Sequence, residues 1–309
     1  MLFVFKSPYM RPHYEWKLSR RRLELGARTL VMGIVNVTPD SFSDTGRHFS
    51  HGNAVEHALR LLDEGADILD IDGESTRPGS KVGEGGVTAA EELCRILPVI
   101  VSVRKQRPSA LISVDTYKSG VARACVQAGA EIVNDVSAAR WDSTMPQTLA
   151  ELKCGVVLMH SRGLPEEWHT LPHLSGDALL DLVGRELREW SGAVIGAGVQ
   201  PGRIVLDPGF GFGKKFEENY PLLAHLDKLH ELGFPLLAGT SRKSFIGRTL
   251  AHEGTNGEKE DAPADQRLYG TLATVAAAIL QGIHIVRVHD VKPAVEAARV
   301  ADAILAAAS

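Results

Sequence analysis

From Leu30 onward the chain repeats one unit eight times: a short apolar run of strand length, then a longer stretch with helical spacing. That alternation constrains the fold more than any other feature. The runs at 31–36, 67–72, 111–115, 131–135, 155–160, 203–207, 235–239 and 283–288 are mostly aliphatic, as strands covered on both faces are. The stretches at 52–65, 88–106, 118–128, 144–153, 177–197, 217–232, 268–281 and 292–307 carry helix-period apolar positions. Strand then helix, eight times over, predicts a (β/α)8 TIM barrel. A doubly wound sheet is the competing arrangement, but it rarely needs so many regular units. No Pro-, Ser- or Gly-rich tract cuts the series, so 31–309 reads as one domain.

Residues 1–30 read as an extension. Tyr14 to Leu18 alternates, Ser19 to Arg22 turns, and Leu23-Glu24-Leu25 alternates again before Gly26, which predicts a β-hairpin covering one end of the domain. The stretch from His252 to Asp265, rich in Gly, Glu and Asp, reads as a solvated surface loop.

In a barrel the chemistry collects at the C-terminal ends of the strands. Polar residues gather there in this chain. Strand one ends at Asn36; strand two carries Asp70 and Asp72; strand three ends at Asp115 and strand four at Asn134-Asp135. Strand five ends at Met159-His160, strand six at Asp207, and strand seven runs into Ser241-Arg242-Lys243-Ser244. Arg287 and His289 lie two apart in strand eight, hence on one face. A lone strand-end Asp is most simply a helix cap, and Asp115 before Thr116-Tyr117-Lys118 has that option. Six such residues converging on one mouth are harder to explain as caps. Asp and Asn together offer donors and acceptors to a planar polar heterocycle. Arg77, Lys243, Arg287 and His289 suit a phosphate or diphosphate, and Asn36 with nearby loop acids could take Mg2+ bridging phosphates. His160 reads as a hydrogen-bonded structural histidine slightly ahead of a catalytic one.

After strand six comes Asp207-Pro208-Gly209-Phe210-Gly211-Phe212-Gly213-Lys214. A phosphate-binding P-loop needs Gly where Pro208 sits and Ser or Thr where Lys215 sits. A dinucleotide fingerprint needs its third glycine one residue later. The glycines instead let the backbone approach a flat ligand.

A formal net charge of -4 argues against a nucleic-acid binder held by phosphate contacts. Cys94, Cys125 and Cys154 have no CxxC spacing and read as idle thiols in a reducing compartment. No apolar run approaches membrane-spanning length, and Leu2 to Phe5 is too short for a secretory segment, so the chain is placed in the cytoplasm with no membrane partner.

These motifs carry a resemblance. Met32 to Asp44, with Asn36 and Phe42 inside it, resembles the first signature of the dihydropteroate synthases, and Gly73-Glu-Ser-Thr76-Arg77-Pro78-Gly79 resembles their second. Asp207 to Lys214, Ser241 to Ser244, and Arg287-Val-His289-Asp290-Val look like their pterin, lysine and final-strand motifs, in the family's order from about Leu30 to the C-terminus. The resemblance implies a TIM barrel, usually homodimeric, that joins 6-hydroxymethyl-7,8-dihydropterin diphosphate to 4-aminobenzoate and releases diphosphate. It implies that Asp115, Asn134, Asp207 and Lys243 hold the pterin, with Met159 and Phe212 packed near it. It assigns Arg77, Arg287, His289 and Asn36 to the diphosphate, and Asn36 to Mg2+. Phe42, Thr76, Pro78 and Ser244 would surround the aminobenzoate. Asp115, Lys243, Arg287 and His289 are the catalytic candidates.

One departure stands out. The family's second strand commonly ends Gly-Gly before Glu-Ser-Thr, whereas this chain has Asp72-Gly73. Asp70 and Asp72 share a strand face, so an extra acid enters the mouth, where it could oppose the diphosphate or bind metal; the plain expectation is that Asp72 pairs with a neighbouring Arg or Lys. The nearest rival reading is a methyltetrahydrofolate:corrinoid methyltransferase, another pterin-binding barrel, which has no need for both the Ser241–Ser244 and Arg287–His289 motifs. A silent paralogue that binds pterins or a partner protein is the third.

Overall fold

A computed structural model of the chain describes residues 11–37, 51–74, 81–82, 85–253 and 258–308. Strands β1 (Tyr14–Lys17) and β2 (Arg22–Leu25) pair antiparallel as a hairpin. The barrel strands follow as β3 (Leu30–Asn36), β4 (Ile68–Asp72), β5 (Ile112–Asp115), β6 (Ile132–Asp135), β7 (Gly155–Met159), β8 (Ile204–Asp207) and β9 (Leu237–Ala238). Beyond β9, a two-residue ribbon of β10 (His252–Glu253) and β11 (Lys259–Glu260) precedes the last barrel strand, β12 (Ile285–Val288).

The eight barrel strands form one parallel sheet in the order β8-β7-β6-β5-β4-β3-β12-β9. Its two edges meet through a parallel bridge between Leu206 and Leu236, and the Leu206 N–H donates to the Pro235 carbonyl at 2.9 Å. The sheet is therefore closed, and no barrel edge is left as a template for pairing. This is the eight-stranded architecture that the alternation predicts.

Outside the sheet lie α1 (His51–Asp63), α2 (Ala89–Gln106), α3 (Ser119–Ala128), α4 (Met145–Leu152), α5 (Gly176–Gly196), α6 (Phe216–Ala224), α7 (Ser244–Thr249), α8 (Leu268–Leu280) and α9 (Val291–Ala307). Two differ from the sequence expectation. The helix expected over 217–232 is α6 followed by a 3-10 segment, Leu226–Leu232, with His225 between them at φ -124°. Pro221 inside α6 has no N–H to donate, which weakens the ladder just before the break. The short α7 was not anticipated; it buries the adjacent Phe245 and Ile246. The expected surface loop after it carries the exposed β10–β11 ribbon.

Strand alternation sorts the side chains into two cores. Val31, Val35, Leu69, Ile71, Val114, Val133, Val156 and Leu206 face outward into the helix layer. Leu30, Met32, Ile68, Ile132, Val157, Val205, Leu237 and Ile285 face inward and fill the lower barrel. The hairpin closes that floor with Trp16, Leu18 and Leu25, each nearly or fully buried. Burying each such side chain stabilises by about 1.5–3 kcal/mol relative to leaving it in water. The Trp16 indole N–H donates to the Arg203 carbonyl at 2.8 Å, so its polar edge is satisfied too. Gly155, inward on β7, makes room for this plug: a Cβ there would lie 2.3 Å from Leu18 Cδ2. Arg21 anchors the hairpin from outside through Nε and Nη2 to the carboxylate of fully buried Glu131, at 3.2 and 2.7 Å.

Candidate active site

Above the apolar floor the same inward positions turn polar. Following the register upward, Asn36 lies opposite Asp72, Asp72 opposite Asp115, and Asp115 opposite Asn134. One layer lower, Asp70 lies opposite Ser113. Met159 and Asp207 are register partners across β7 and β8. The strand ends that sequence reasoning singled out thus share one mouth.

Its centre is Arg287. Nε donates to Asp70 Oδ2 at 2.6 Å and Nη2 to Asp115 Oδ2 at 2.7 Å. Asn134 Nδ2 donates to the same Asp70 oxygen at 3.0 Å. Burial works against the guanidinium charge, but Asp70 and Asp115 outweigh it and keep Arg287 firmly protonated. Burial holds Asp115 well above the usual carboxylate range; the Arg287 charge opposes this, and Asp70 and Asp72 add to it. Asp115 is therefore not the cap of α3, whose N-cap residue is Lys118.

Asp72 does not form the salt bridge expected of it. Its Oδ1 accepts the Glu74 N–H at 2.9 Å, while the nearest guanidinium is taken by Asp70 and Asp115. Burial pushes Asp72 up to about 7, against the pull of Arg287.

On the opposite wall, Asp207 Oδ1 accepts the Gly209 N–H at 2.7 Å, and burial lifts the Asp207 carboxyl to about 6. Gly209 has φ +67°, and a Cβ there would sit 2.0 Å from the His160 carbonyl oxygen, so only glycine fits. Lys214 is buried beneath this loop and donates from Nζ to the carbonyls of Gly209 (2.7 Å), His160 (3.2 Å) and Phe212 (3.3 Å). Phe212 is thereby presented to Lys243, whose Nζ lies 4.1 Å from the ring centroid. Burial, and then Arg287, brings Lys243 down to about 8.

His289 Nδ1 is 3.0 Å from Ser241 Oγ, which also accepts the His289 backbone N–H at 3.2 Å. Burial, with Arg242 and Arg287, brings His289 down to about 3, so it is neutral at pH 7. Arg242 sits in the left-handed region at φ +57° and is held there by a two-point ion pair with Asp290, at 2.7 and 3.0 Å. A non-glycine residue held in that region stores about 1–3 kcal/mol of strain. Its carbonyl and side chain shape the turn that delivers Lys243 and exposed Ser244. A cavity of about 470 Å³ opens beside Asn36 and His289 and reaches His57 and Arg60 on α1.

His160 lies outside this constellation. It is fully buried, bonded through Nε2 to Glu186 at 3.0 Å and stacked on Trp190 at 5.1 Å, which is a structural role. Phe42, Thr76, Arg77 and Pro78 fall outside the described residues. What holds the two ends of the segment carrying Thr76 to Pro78 is described: Glu74 accepts from the Val87 N–H (3.3 Å) and the Tyr117 hydroxyl (3.4 Å). Lys118 pairs with Glu74 and, at 2.5 Å, with fully buried Glu92.

Sequence reasoning assigned no role to Asp70, Lys214 or the Glu74–Lys118–Glu92 group. Asp70 was signalled only by its i−2 spacing from Asp72. Among the described residues no three His, Cys, Asp or Glu side chains converge as a ready metal site, and no helix is long and apolar enough to cross a membrane.

Residues 32–289 match the family described as pterin binding enzyme. The chain is 44% identical over 278 residues to the dihydropteroate synthase of Bacillus subtilis, covering 90% of this chain and 89% of that one. It superimposes on a Xanthomonas albilineans dihydropteroate synthase solved with 4-aminobenzoic acid with TM-score 0.83 and 44% identity, over 96% of this chain and 99% of that one. A second Xanthomonas albilineans structure, in complex with 7,8-dihydropteroate, gives TM-score 0.78 and 42% identity, over 94% and 99%. A mouth of Asp, Asn, Lys and Arg on a closed barrel, matched along nearly the whole chain by these relatives, leaves one conclusion: the chain belongs to the pterin-binding enzymes, and among them to the dihydropteroate synthases.

Proposed function

We propose that this mouth joins 6-hydroxymethyl-7,8-dihydropterin diphosphate to 4-aminobenzoate, giving 7,8-dihydropteroate and diphosphate. The observation that carries the assignment of roles is the gathering of Asp70, Asp115, Asn134, Asp207 and Lys243 around Arg287 at the C-terminal end of the barrel. The pterin lies against Met159 and Phe212, and its polar edge meets Asp115, Asn134, Asp207 and Lys243. Asp207 and Asn134 offer an acceptor and an amide to the ring's amino and lactam groups.

The diphosphate end meets Arg287, His289, Asn36 and Arg77. Arg287 still has Nη1 without a hydrogen-bond partner among the described residues. If Ser241 donates its hydroxyl proton to Nδ1, the ring proton of neutral His289 sits on Nε2, where it is a donor to an anion. Mg2+, when bound, neutralises and steadies the diphosphate as a leaving group. Asn36, at the mouth with an amide oxygen free of described partners, is a suitable hard donor for it.

In the reaction the methylene C–O bond to diphosphate breaks and the aniline nitrogen of 4-aminobenzoate forms the new C–N bond, losing a proton. Positive charge grows on the pterin methylene as the diphosphate departs, and the buried Asp115 carboxylate stabilises it electrostatically. The aniline is already a nucleophile, so Phe42, Thr76, Pro78 and Ser244 need only orient it. The relative solved with 4-aminobenzoic acid and the one with 7,8-dihydropteroate support this pairing of substrates. Lys243 with Arg287 and His289 favours the synthase over the methyltransferase reading, since a methyl donor brings no diphosphate.

The same reading makes the active form a homodimer. Val300 (62% exposed) and Ile304 (53%) lie four apart on α9, hence on one face, an apolar strip that a second copy would cover. Light scattering reads the mass directly.

The test of the function is a product assay with dihydropterin diphosphate, 4-aminobenzoate and Mg2+, following dihydropteroate by chromatography. Product that vanishes in Arg287→Ala supports the assignment. Pterin binding without product would move the chain to the methyltransferase or silent-paralogue reading.

A further inference from the structure

Arg287 leaves Asp72 unbonded. Three inward carboxylates, Asp70, Asp72 and Asp115, face this one guanidinium, and its two hydrogen bonds among the described residues go to Asp70 and Asp115. Among the described residues the other cations nearby are committed elsewhere. Lys118 holds Glu74 and Glu92, Arg95 holds Glu91 and the Gly73 carbonyl, Arg242 holds Asp290, and Lys243 lies over Phe212. The row thus holds one carboxylate more than its guanidinium bonds, where burial makes an unpaired negative charge expensive.

The unused donors point the same way. Asp72 Oδ1 is fixed by the Glu74 N–H, which orients the carboxylate, while Oδ2 has no hydrogen-bond partner among the described residues. Directly opposite on β3 stands Asn36, whose amide is likewise without a described partner. Register partners in parallel strands present their side chains to the same face, so the amide and the carboxylate stand side by side at the mouth. Just below, Asp70 is fully buried and its Oδ1 has no partner. An amide oxygen beside a carboxylate oxygen is a hard donor set. Mg2+ takes one or two carboxylates plus substrate phosphates and keeps several waters, so it needs no three-acid cage.

We propose that Asp72 is a second, anionic ligand beside Asn36, so that this chain holds a divalent cation at the mouth before the diphosphate substrate arrives. The inference rests on the reading that Asn36 serves Mg2+, and adds a second protein ligand to it. A preloaded cation also offsets the repulsion that Asp72 would otherwise exert on the incoming diphosphate.

The experiment titrates Mn2+, as a stand-in for Mg2+, into the substrate-free protein and follows the loss of its free six-line EPR signal. Wild type is expected to bind Mn2+ and to release it to added Mg2+. Asp72→Gly and the near-isosteric Asp72→Asn are expected to weaken Mn2+ binding by about tenfold or more, and Asn36→Ala to do the same. Glu24→Gln, an exposed acid on the hairpin that closes the opposite end of the barrel, should change nothing. Asp72→Asn keeps the acceptor for Glu74, so a thermal melt matching wild type rules out misfolding. Equal Mn2+ affinity in wild type and both Asp72 variants, or no binding by wild type, overturns the proposal. The product assay separates the two readings. Product formed at the wild-type rate with Asp72-independent Mn2+ binding sinks only the Asp72 ligand. Asp72-dependent Mn2+ binding without product keeps the cation site and sinks the synthase assignment.

Discussion

Replacing Arg287 by methionine keeps most of the volume and removes the guanidinium that bonds Asp70 and Asp115. Two charge-assisted bonds, 2.6 and 2.7 Å long, disappear, and two carboxylates that are 0% and 7% exposed stay behind. Breaking a buried pair by deleting one partner typically costs about 3–5 kcal/mol, because the orphaned charge keeps its desolvation penalty. The loss should depend on pH. Asp115 already titrates well above the usual range through burial, against the Arg287 charge. Without Arg287 the opposing influence is gone and its folded-state value rises further above the unfolded one. A carboxyl raised in the folded state stabilises most at low pH, and that contribution is lost as pH rises through the folded value. Arg287→Met should therefore be about 3–5 kcal/mol less stable than wild type near pH 8, and distinctly less impaired near pH 5.5. Urea midpoints at the two pH values measure this. Adding Asp115→Asn should recover about 0.5–3 kcal/mol of the deficit near pH 8, the range of coupling between residues in contact. A loss below about 1 kcal/mol, or one equal at both pH values, would refute the argument that this pair is shielded from water.

Trp16→Ala opens the barrel floor and should lower stability by about 3–5 kcal/mol, which urea unfolding reads. Lys214→Met removes three bonds to carbonyls of the glycine loop, so the pterin substrate's KM should rise while that of 4-aminobenzoate holds; equal rises in both would mean a general loss of folding. Lys243, brought down to about 8 by burial and Arg287, loses its proton as pH rises through that value, so pterin affinity measured by calorimetry should fall there. Lys243→Arg should move the fall to higher pH.

Much of this fold is readable because alternation is local. The inward positions of β3, β4 and β12 follow from counting by two, and seven of the eight barrel strands lie within the stretches that the apolar runs mark, while β3 begins one residue earlier at Leu30. The pairings are not readable in the same way. Asp70 and Arg287 are 217 residues apart, so the sequence offers each as a charge and neither as a partner. Asp72 shows the consequence: an acid among basic motifs reads as a salt bridge, but a guanidinium has only so many N–H groups, and Asp70 and Asp115 hold the relevant two. His160 was ambiguous for a related reason, because the residues that fix its role, Glu186 and Trp190, lie on α5, a full helix away. Lys214 ends a glycine motif in the sequence, and the carbonyls that it gathers come together only in the fold.

The change from apolar to polar along each inward row explains why the mouth can hold such perturbed groups. Ile68 and Asp70, Ile285 and Arg287, Val157 and Met159, Val205 and Asp207 are successive inward residues of the same four strands. The lower member of each pair packs on Trp16, Leu18 and Leu25, which close the barrel from beneath. Water cannot reach Asp70 from that side, so solvent screens its bond to Arg287 little, and the full strength of a buried charge pair is retained. The same dryness lifts Asp207 and lowers Lys243, leaving an acid near 6 and a base near 8 on one wall. Small changes in what lies between them, such as a bound pterin, can then shift a proton at neutral pH. An open-bottomed barrel would hydrate the lower carboxylates and return these groups toward ordinary values. The N-terminal hairpin, remote from every substrate, therefore supports the chemistry through the dielectric it imposes on the floor.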